Sequence, residues 1–416
     1  MVIAMKRGIL KKISLPGWIF ISIILGVAAG LLLKERIYSF SATIGDIFLN
    51  LLKMITLPLI FTSISTGVIS VGGSKNLGRV GLKTILYYIL SSLVAIVTGL
   101  LLTNTIKPGA DTSFFTSSVE SSSVDIQSLS IRDIILKIFT PNIFNSFAQG
   151  EMLPVIFFSL LIGFFVTRLR EKQRLLLSDI LQAGFELMMK ITGFILKLAP
   201  VGIFGIMAKI VSSTGLQVFG NLGKYFFTVL SGLLIHYFLS LPLIVFLFTK
   251  LNPYRHMNNM STALLTAFST ASSSATLPVT LECAEEKSGI SNKISSFVFP
   301  LGATINMDGT ALYECSAAIF ISQVYGIPLS IPQQIVVVLT ALLASIGAAG
   351  IPMAGLVMMT VVLKSVGLPL EGIGIILAVD RILDMIRTST NVWSDSCGAL
   401  IIASSEREVN IDIYNN

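Results

Sequence analysis

Most apolar residues of this chain fall in runs long enough to cross a bilayer. Stretches at 16–33, 47–71, 80–103, 153–168, 180–208 and 226–251 each suit a helix crossing about 30 Å of hydrocarbon at about 1.5 Å per residue, the fourth only barely. Basic residues gather in the loops after spans two, four and six: Lys75, Arg79 and Lys83, then Arg168, Arg170, Lys172 and Arg174, then Lys250 and Arg255. That bias marks these loops as cytoplasmic, and Lys6, Arg7, Lys11 and Lys12 hold the N-terminus on the same side. The start MVIAMKRGILKK leads straight into a span with no small-residue cleavage site, so no removable signal peptide is expected. The segment 108–131 is Ser-rich and acidic and reads as a mobile external loop between spans three and four.

The last third breaks the pattern. Residues 261–283 (STALLTAFSTASSSATLPVTLEC) hold two short apolar limbs around a hydroxyl-rich centre ending in Pro278. A continuous membrane helix there would bury the hydroxyls, so a re-entrant helical hairpin entering from the cytoplasm is the better reading. Residues 336–366 repeat the design around SIGAAGIPMAG, with an uncharged leading flank that suits entry from outside. Each hairpin precedes a span with polar residues inside it, 296–325 and 372–404. Hairpin plus polar helix, repeated from opposite sides, is the mark of an inverted repeat, and transporters place their sites where such elements meet. The expected fold is an all-α polytopic membrane protein of about eight transmembrane helices plus two re-entrant hairpins.

Composition agrees. Of 416 residues, 53% are hydrophobic and 12% charged, with a mean hydropathy of +0.85, which excludes a water-soluble globular fold. The net charge of +7 belongs to the loops and points to topology rather than to nucleic acid. Cys283, Cys315 and Cys397 show no paired spacing, and His236 and His256 make no HExxH pattern, so neither a disulfide nor a zinc site is expected. No GxxxxGK[ST] occurs, which excludes an ATP-driven pump.

The chemistry sits inside the polar spans. Asp380, Asp384, Arg387, Asn391 and Asp395 fall within a stripe about 80° wide on one helix. Each charge at bilayer depth costs at least about 2.5–3.5 kcal/mol, so function is favoured over the alternative, an ion-pair ladder of Arg387 with Asp384. Arg381 lies off the stripe and reads as structural. In NMDGT, Asn306 and Thr310 are one turn apart while Asp308 would point to the opposite side of a regular helix. Gly309 and the polar neighbours suggest local unwinding, and freed carbonyls with a carboxylate suit a small hard cation such as sodium. A kink with a satisfied Asp308 is the plainer reading. Desolvation favours the neutral form of Glu314, which then either carries a proton or simply hydrogen-bonds a neighbour. Ser272, Ser273, Ser274 and Thr276 either present donors to a carboxylate at the helix ends of the first hairpin or merely allow close packing.

At these residues the chain resembles the glutamate transporter family, the dicarboxylate/amino acid:cation symporters. The likeness runs through LGRVGLKTILYY, PGA, SSSATLPVT, NMDGTALYE, SIGAAGIP and DxxxDxxRTxxNVxxD, in order along nearly the whole chain. The resemblance implies a homotrimer with a scaffold (1–79 and 132–216) and a moving transport domain (80–107 and 217–416), the external loop 108–131 between them. It implies that Arg387 binds the substrate's side-chain carboxylate and Asp384 its amino group. Asn391 with Ser272, Ser273 and Ser274 takes the α-carboxylate, Thr310 and Thr388 complete the pocket, and Gly350 and Gly355 of the second hairpin close over it. Sodium falls on Asn306, Asp308, Tyr88, Ser91 and Ser92; on Gly302, Asn391 and Asp395; and on carbonyls around Thr304, Ser345 and Ile346. Glu314 matches the position linked to proton co-transport. No cofactor is expected; sodium serves as the coupling ion.

Two matched positions point to the substrate: family members for neutral amino acids lack the Arg at 387, and those for non-amino dicarboxylates tend to lack the Asp at 384. This chain keeps both, so sodium-coupled and also proton-coupled uptake of L-glutamate or L-aspartate across the cell membrane, with both termini cytoplasmic, is the expectation. Cations bind first, and the second hairpin, with Gly347, Gly350 and Gly355, closes as the external gate. The alternatives are a sodium-coupled C4-dicarboxylate or neutral amino acid symporter and, from another class, an intramembrane aspartyl protease using Asp308 and Asp384. The chain also departs from its relatives. Ala271 and Met385 stand where many carry a second arginine, which puts potassium counter-transport in doubt, and Ser394 stands where a Gly is common.

Overall fold

The structure, a computed structural model, describes residues 15–72, 78–110, 138–215, 218–347 and 354–415. Its helices are α1 (Leu15–Leu33), α2 (Glu35–Gly72), α3 (Gly78–Ile106), α4 (Ile143–Gln149), α5 (Met152–Val166), α6 (Glu171–Lys197), α7 (Ala199–Thr214), α8 (Val218–Ile235), α9 (Leu241–Thr249), α10 (Pro253–Asn259), α11 (Ser261–Thr270), α12 (Ser273–Glu282), α13 (Asn292–Ile305), α14 (Asp308–Val324), α15 (Ile331–Gly347), α16 (Ala354–Ser365), α17 (Gly372–Glu406) and α18 (Ile411–Asn415). The all-helical architecture expected from the apolar runs is present. By length and apolarity alone, Glu35–Ile69, Arg79–Ile106 and Gly220–Thr249 can each cross a membrane, as can the bent pair α6 and α7. The polar-bearing helices fall short on length or on charge, α14 being 17 residues long and α17 holding several charges, and their polar residues face inward: in α14, Asp308 to Ser322 is buried without interruption.

Three sequence-derived boundaries need correction. The fifth span, read as one helix over 180–208, is α6 and α7, bent by 52° around Leu198. Pro200 sits at the start of α7, where its missing N–H costs nothing, but it cannot continue α6. The second helix begins at Glu35, well before residue 47, because helix continuity tolerates Glu35, Arg36 and Asp46 while a hydropathy run stops at them. The first hairpin turns at Ala271, which holds a left-handed conformation (φ 49°), and Ser272, so Pro278 lies inside α12 rather than at the turn. Most of the external loop 108–131 and the tip of the second hairpin lie outside the described residues.

The packing falls into two groups. Helices α1 and α2 run along α7, and α2 also packs on α5 and α6. Helix α3 instead packs on α14, which is enclosed by α17, α15 and α16; α11, α13 and α9 complete the wrapping of α17. Between α8 and α9 the helix widens into a π-helical turn, His236–Ser240. Pro242 follows at the start of α9, and such bulges absorb the donor that a helix proline lacks.

At the C-terminal end of α17 the chain folds back as a clasp on the first hairpin. Arg407 reverses the chain (φ 59°), Ser291 N donates to Glu408 O (3.0 Å) and Asn410 N to Gly289 O (2.7 Å). Tyr414 is buried, its hydroxyl donating to Asn252 O (2.7 Å). His256 of α10 lies between the rings of Tyr414 (6.3 Å) and Trp393 (5.5 Å), with Ser288 Oγ and Ser396 O on its two nitrogens at 3.1 and 3.0 Å. Arg79 and Lys83 of α3 pair with Glu406, and Lys293 with Glu408, exposed pairs that contribute little each.

Burial pushes the His256 imidazole down to about 4, against about 6.5 in an unfolded chain. Below about 6.5 the unfolded chain takes up a proton that the folded clasp does not accept until about 4, so the clasp is at full strength above that window and loses stability as pH falls through it, by about 3 kcal/mol at the lower end. The apparent melting temperature of the purified protein is therefore expected to drop between pH 6.5 and 4, and His256→Phe to flatten that drop. An unchanged slope in the variant would show that this ring does not carry the acid sensitivity.

Candidate functional site

Two polar clusters lie side by side along α17, and the broken helix α13 to α14 joins them. Helix α13 ends at Ile305; Asn306 (φ −113°, ψ 95°) and Met307 (φ −127°, ψ 63°) leave helical geometry before α14 restarts at Asp308. The unwinding read from NMDGT is thus present, and the carbonyls of the last turn of α13 lose their helical donors. Gly309 N turns instead to Asn391 Oδ1 of α17 (2.8 Å).

In the first cluster the Asp308 carboxylate accepts from Ser92 Oγ (2.6 Å) and Ser91 Oγ (3.2 Å) on one oxygen and from Ser394 Oγ (2.6 Å) on the other, with His236 Nε2 at 3.0 Å. Asn306 Nδ2 donates to Asp395 Oδ1 (2.8 Å) and to Ser394 Oγ (3.1 Å), while Asn306 Oδ1 is buried with no protein partner. Tyr88 donates its hydroxyl to Val298 O (2.8 Å). Gly302 presses its bare backbone on this group: a Cβ there would strike Asp395 Oδ1 and come within 2.7 Å of the Tyr88 hydroxyl. Two buried carboxylates, hydroxyls, an amide oxygen and backbone carbonyls make an all-oxygen set suited to a hard monovalent cation. Among the described residues no group of three or more His, Cys, Asp and Glu is placed to hold a metal ion.

In the second cluster Arg387 is enclosed. Its Nη2 donates to Asp380 Oδ1 (3.1 Å) and Asp384 Oδ1 (2.9 Å), and the guanidinium lies 3.8 Å over the Tyr313 ring. Arg381, read as structural, reaches Asp384 Oδ2 (3.3 Å). Buried Nε and Nη1 of Arg387 and Oδ2 of Asp380 have no protein hydrogen bond. Thr388 Oγ1 donates to Asp384 O (2.8 Å), and Asn391 Nδ2 to Thr310 Oγ1 (3.3 Å). Gly355 of the second hairpin sits against Arg387 and Thr310: a Cβ there would lie 3.1 Å from Nη1. Gly309 lets α14 approach α17, since its Cβ would meet Arg387 O at 2.7 Å.

The expected residues are brought together in part. Asp308, Asn306, Ser91, Ser92, Tyr88, Gly302 and Asp395 converge, as do Arg387, Asp384, Thr388, Asn391, Thr310 and Gly355. The Asn391 side chain, expected at both a substrate and a sodium site, is spent on Gly309 and Thr310. At the first hairpin Ser272 caps α12 through Ala275 N (3.2 Å), Ser273 is buried and Ser274 is exposed. Thr304 and Ile346 line one crevice, about 360 Å³ in volume, between α2, α6 and α13, while the Ser345 hydroxyl bonds back to Leu342 O (2.7 Å). Glu314 is fully buried, its carboxyl oxygens without a hydrogen bond in the protein. Gly350 lies outside the described residues. The sequence reading missed His236 and Ser394 as members of the Asp308 cluster. A histidine inside an apolar span was the available signal for the first, and a hydroxyl in place of glycine for the second.

The chain matches the model of the sodium:dicarboxylate symporter family over residues 15–405. It is 38% identical over 411 residues to a proton/sodium-glutamate symport protein of Bacillus caldotenax, covering 96% of both chains. It is 37% identical to excitatory amino acid transporter 3 of Oryctolagus cuniculus, covering 94% of this chain and 86% of that one. A proton/glutamate-aspartate symporter of Escherichia coli (strain K12) is also 37% identical, with 95% and 94% covered.

Removing the Arg387 charge leaves buried Asp380 without its ion-pair partner and Asp384 with Arg381 alone, so Arg387→Leu is expected to destabilise the protein by about 3–5 kcal/mol. Adding Asp380→Asn should recover part of the loss, with a coupling of at least about 1 kcal/mol in a thermal-unfolding double-mutant cycle. Simple additivity would show that the two groups do not interact.

Proposed function

The chain belongs to the sodium:dicarboxylate symporter family, and on that premise we propose that it is a secondary active symporter coupling sodium entry, with a proton, to uptake of L-glutamate or L-aspartate. It is a multi-pass membrane transporter and not an enzyme. One observation carries the substrate reading: a fully buried guanidinium with unpartnered N–H groups beside a buried carboxylate, Asp384. A planar fork of donors takes the side-chain carboxylate bidentately, and Asp384 takes the ammonium. A dicarboxylate lacking the ammonium would leave Asp384 facing a second anion. Thr388, Thr310 and Asn391 supply polar contacts around it, and the α12 end of the first hairpin, with Ser273, takes the α-carboxylate at a positive helix terminus.

Sodium is the cargo of the Asp308 cluster: Asp308, Asn306, Ser91, Ser92 and Tyr88 form one site, Asp395 with Gly302 and Asn391 a second. Carbonyls at Thr304, Ser345 and Ile346, near the C-terminal ends of α13 and α15, form a third. Glu314 carries the proton; a bare charge with no partner at full burial is costly, and protonation removes it. The packing groups support a scaffold (1–79 and 132–216) and a transport domain (80–107 and 217–416), with the crevice at residues 63–67, 182, 304 and 346 along their seam. Exposed Leu175, Leu176, Ile180, Leu187 and Phe194 on α6 offer an apolar face for a homotrimer. The basic loops put both termini in the cytoplasm.

Uptake of labelled aspartate into proteoliposomes, with sodium, proton and potassium gradients varied separately, tests the reading. Uptake is expected to need sodium and to be competed by glutamate but not by serine; saturable succinate uptake indifferent to aspartate would defeat it. Arg387→Ala should weaken acidic amino acid binding about 100-fold or more. Glu314→Gln should abolish the pH dependence of uptake, and an unchanged transport rate and pH profile would remove the proton assignment.

A further inference from the structure

Ser389 of α17 donates outward to Leu264 O of α11 (3.1 Å), but Ser394 is marked out by its partner, a buried carboxylate. Thr388, Thr390 and Ser396 bond back to the carbonyls of Asp384, Ile386 and Trp393 in their own helix, the ordinary fate of a mid-helix hydroxyl. Ser394 reaches out instead, donating to Asp308 Oδ2 (2.6 Å) and accepting from Asn306 Nδ2 (3.1 Å), with Ser91 Oγ at 3.5 Å. Its backbone is held as well, since Tyr87 donates its hydroxyl to Ser394 O (3.0 Å). The hydroxyl therefore closes a continuous chain from Asp308 through Ser394 and Asn306 to Asp395.

We propose that Ser394 Oγ is a specificity-determining cation ligand that joins the Asp308 and Asp395 sites and narrows the space between them. The proposal rests on the reading that sodium binds at Asp308. A hydroxyl oxygen carries two lone pairs besides its proton, so Ser394 can turn a lone pair to a cation beside Asn306 and still donate to Asp308. Cation choice in an oxygen site follows ligand number and cavity size. A site that keeps Ser394 has one more oxygen and less room than one with glycine there, which favours the smaller ion.

The test uses the full-length protein with Trp18→Phe, leaving Trp393, next to Ser394, as the sole tryptophan. Sodium and lithium are titrated separately without amino acid, and Trp393 fluorescence reports binding. Ser394→Ala and Ser394→Gly are expected to weaken sodium at least about tenfold and lithium more, so that the lithium-to-sodium affinity ratio falls about threefold or further, while Ser394→Thr keeps both near the parent. Aspartate binding at saturating sodium checks that each variant is folded. Unchanged sodium affinity and an unchanged ratio in folded Ala and Gly variants overturn the proposal. Asp308→Asn separates the two ideas: if it leaves the sodium titration intact, the reading of the Asp308 site fails and takes the proposal with it. If it abolishes the response while the Ser394 variants are silent, only the role of Ser394 falls.

Discussion

A full positive charge buried in a membrane protein must be answered close by, and Arg387 organises the molecule around that requirement. Asp384 and Asp380 sit one and two turns away on the same helix, Tyr313 offers its ring face from α14, and Arg381 balances the second oxygen of Asp384. For Tyr313 to reach the guanidinium, α14 has to lie against α17 almost backbone to backbone, which Gly309 permits. The second hairpin comes close to the same group at Gly355, where a Cβ would press tightly on Nη1 at 3.1 Å. The close packing of three elements thus follows from one charge.

The neighbouring cluster solves the opposite problem, a surplus of negative charge. Asp308 and Asp395 are both buried, and the donors around them are hydroxyls, an amide and a histidine rather than a cationic side chain of Arg387's kind. The donors come from α3, from the π-helical turn after α8, from the break before α14 and from α17. A cation held there as proposed would draw its ligands from α3, the break before α14 and α17 at once. The Arg387 cluster shares α14 and α17 with it, and Asn391 bridges the junction through Gly309 and Thr310. Occupancy of one cluster can bias the other because both position the same two helices.

Much of this was legible beforehand because membrane depth makes polar residues conspicuous. The stripe from Asp380 to Asp395, the break at Asn306 and the paired limbs of both hairpins stood out as departures from apolar runs. The bend at Leu198 was missed because hydropathy does not register a proline at a helix start. His236 was weighed only as a metal ligand, and its contact with Asp308, 72 residues later, depends on the inward turn of a π-helical segment. The spending of Ser272 on a helix cap and of Asn391 on Gly309 is likewise a matter of local geometry that spacing does not encode. The clasp of Tyr414 on His256 joins residues whose types carry no motif at all.

That clasp also bears on the order in which the molecule is made. Domains and hairpins fold as they emerge, N-terminal parts first. Yet the base of the first hairpin, Gly289 to Ser291, receives its backbone partners from Glu408 to Asn410. The hairpin reaches the membrane long before those partners are synthesised, and Asp308 likewise waits for Ser394. Until then the hairpin base lacks these backbone partners and Asp308 lacks the Ser394 hydroxyl, so α17 and the segment that follows it complete both.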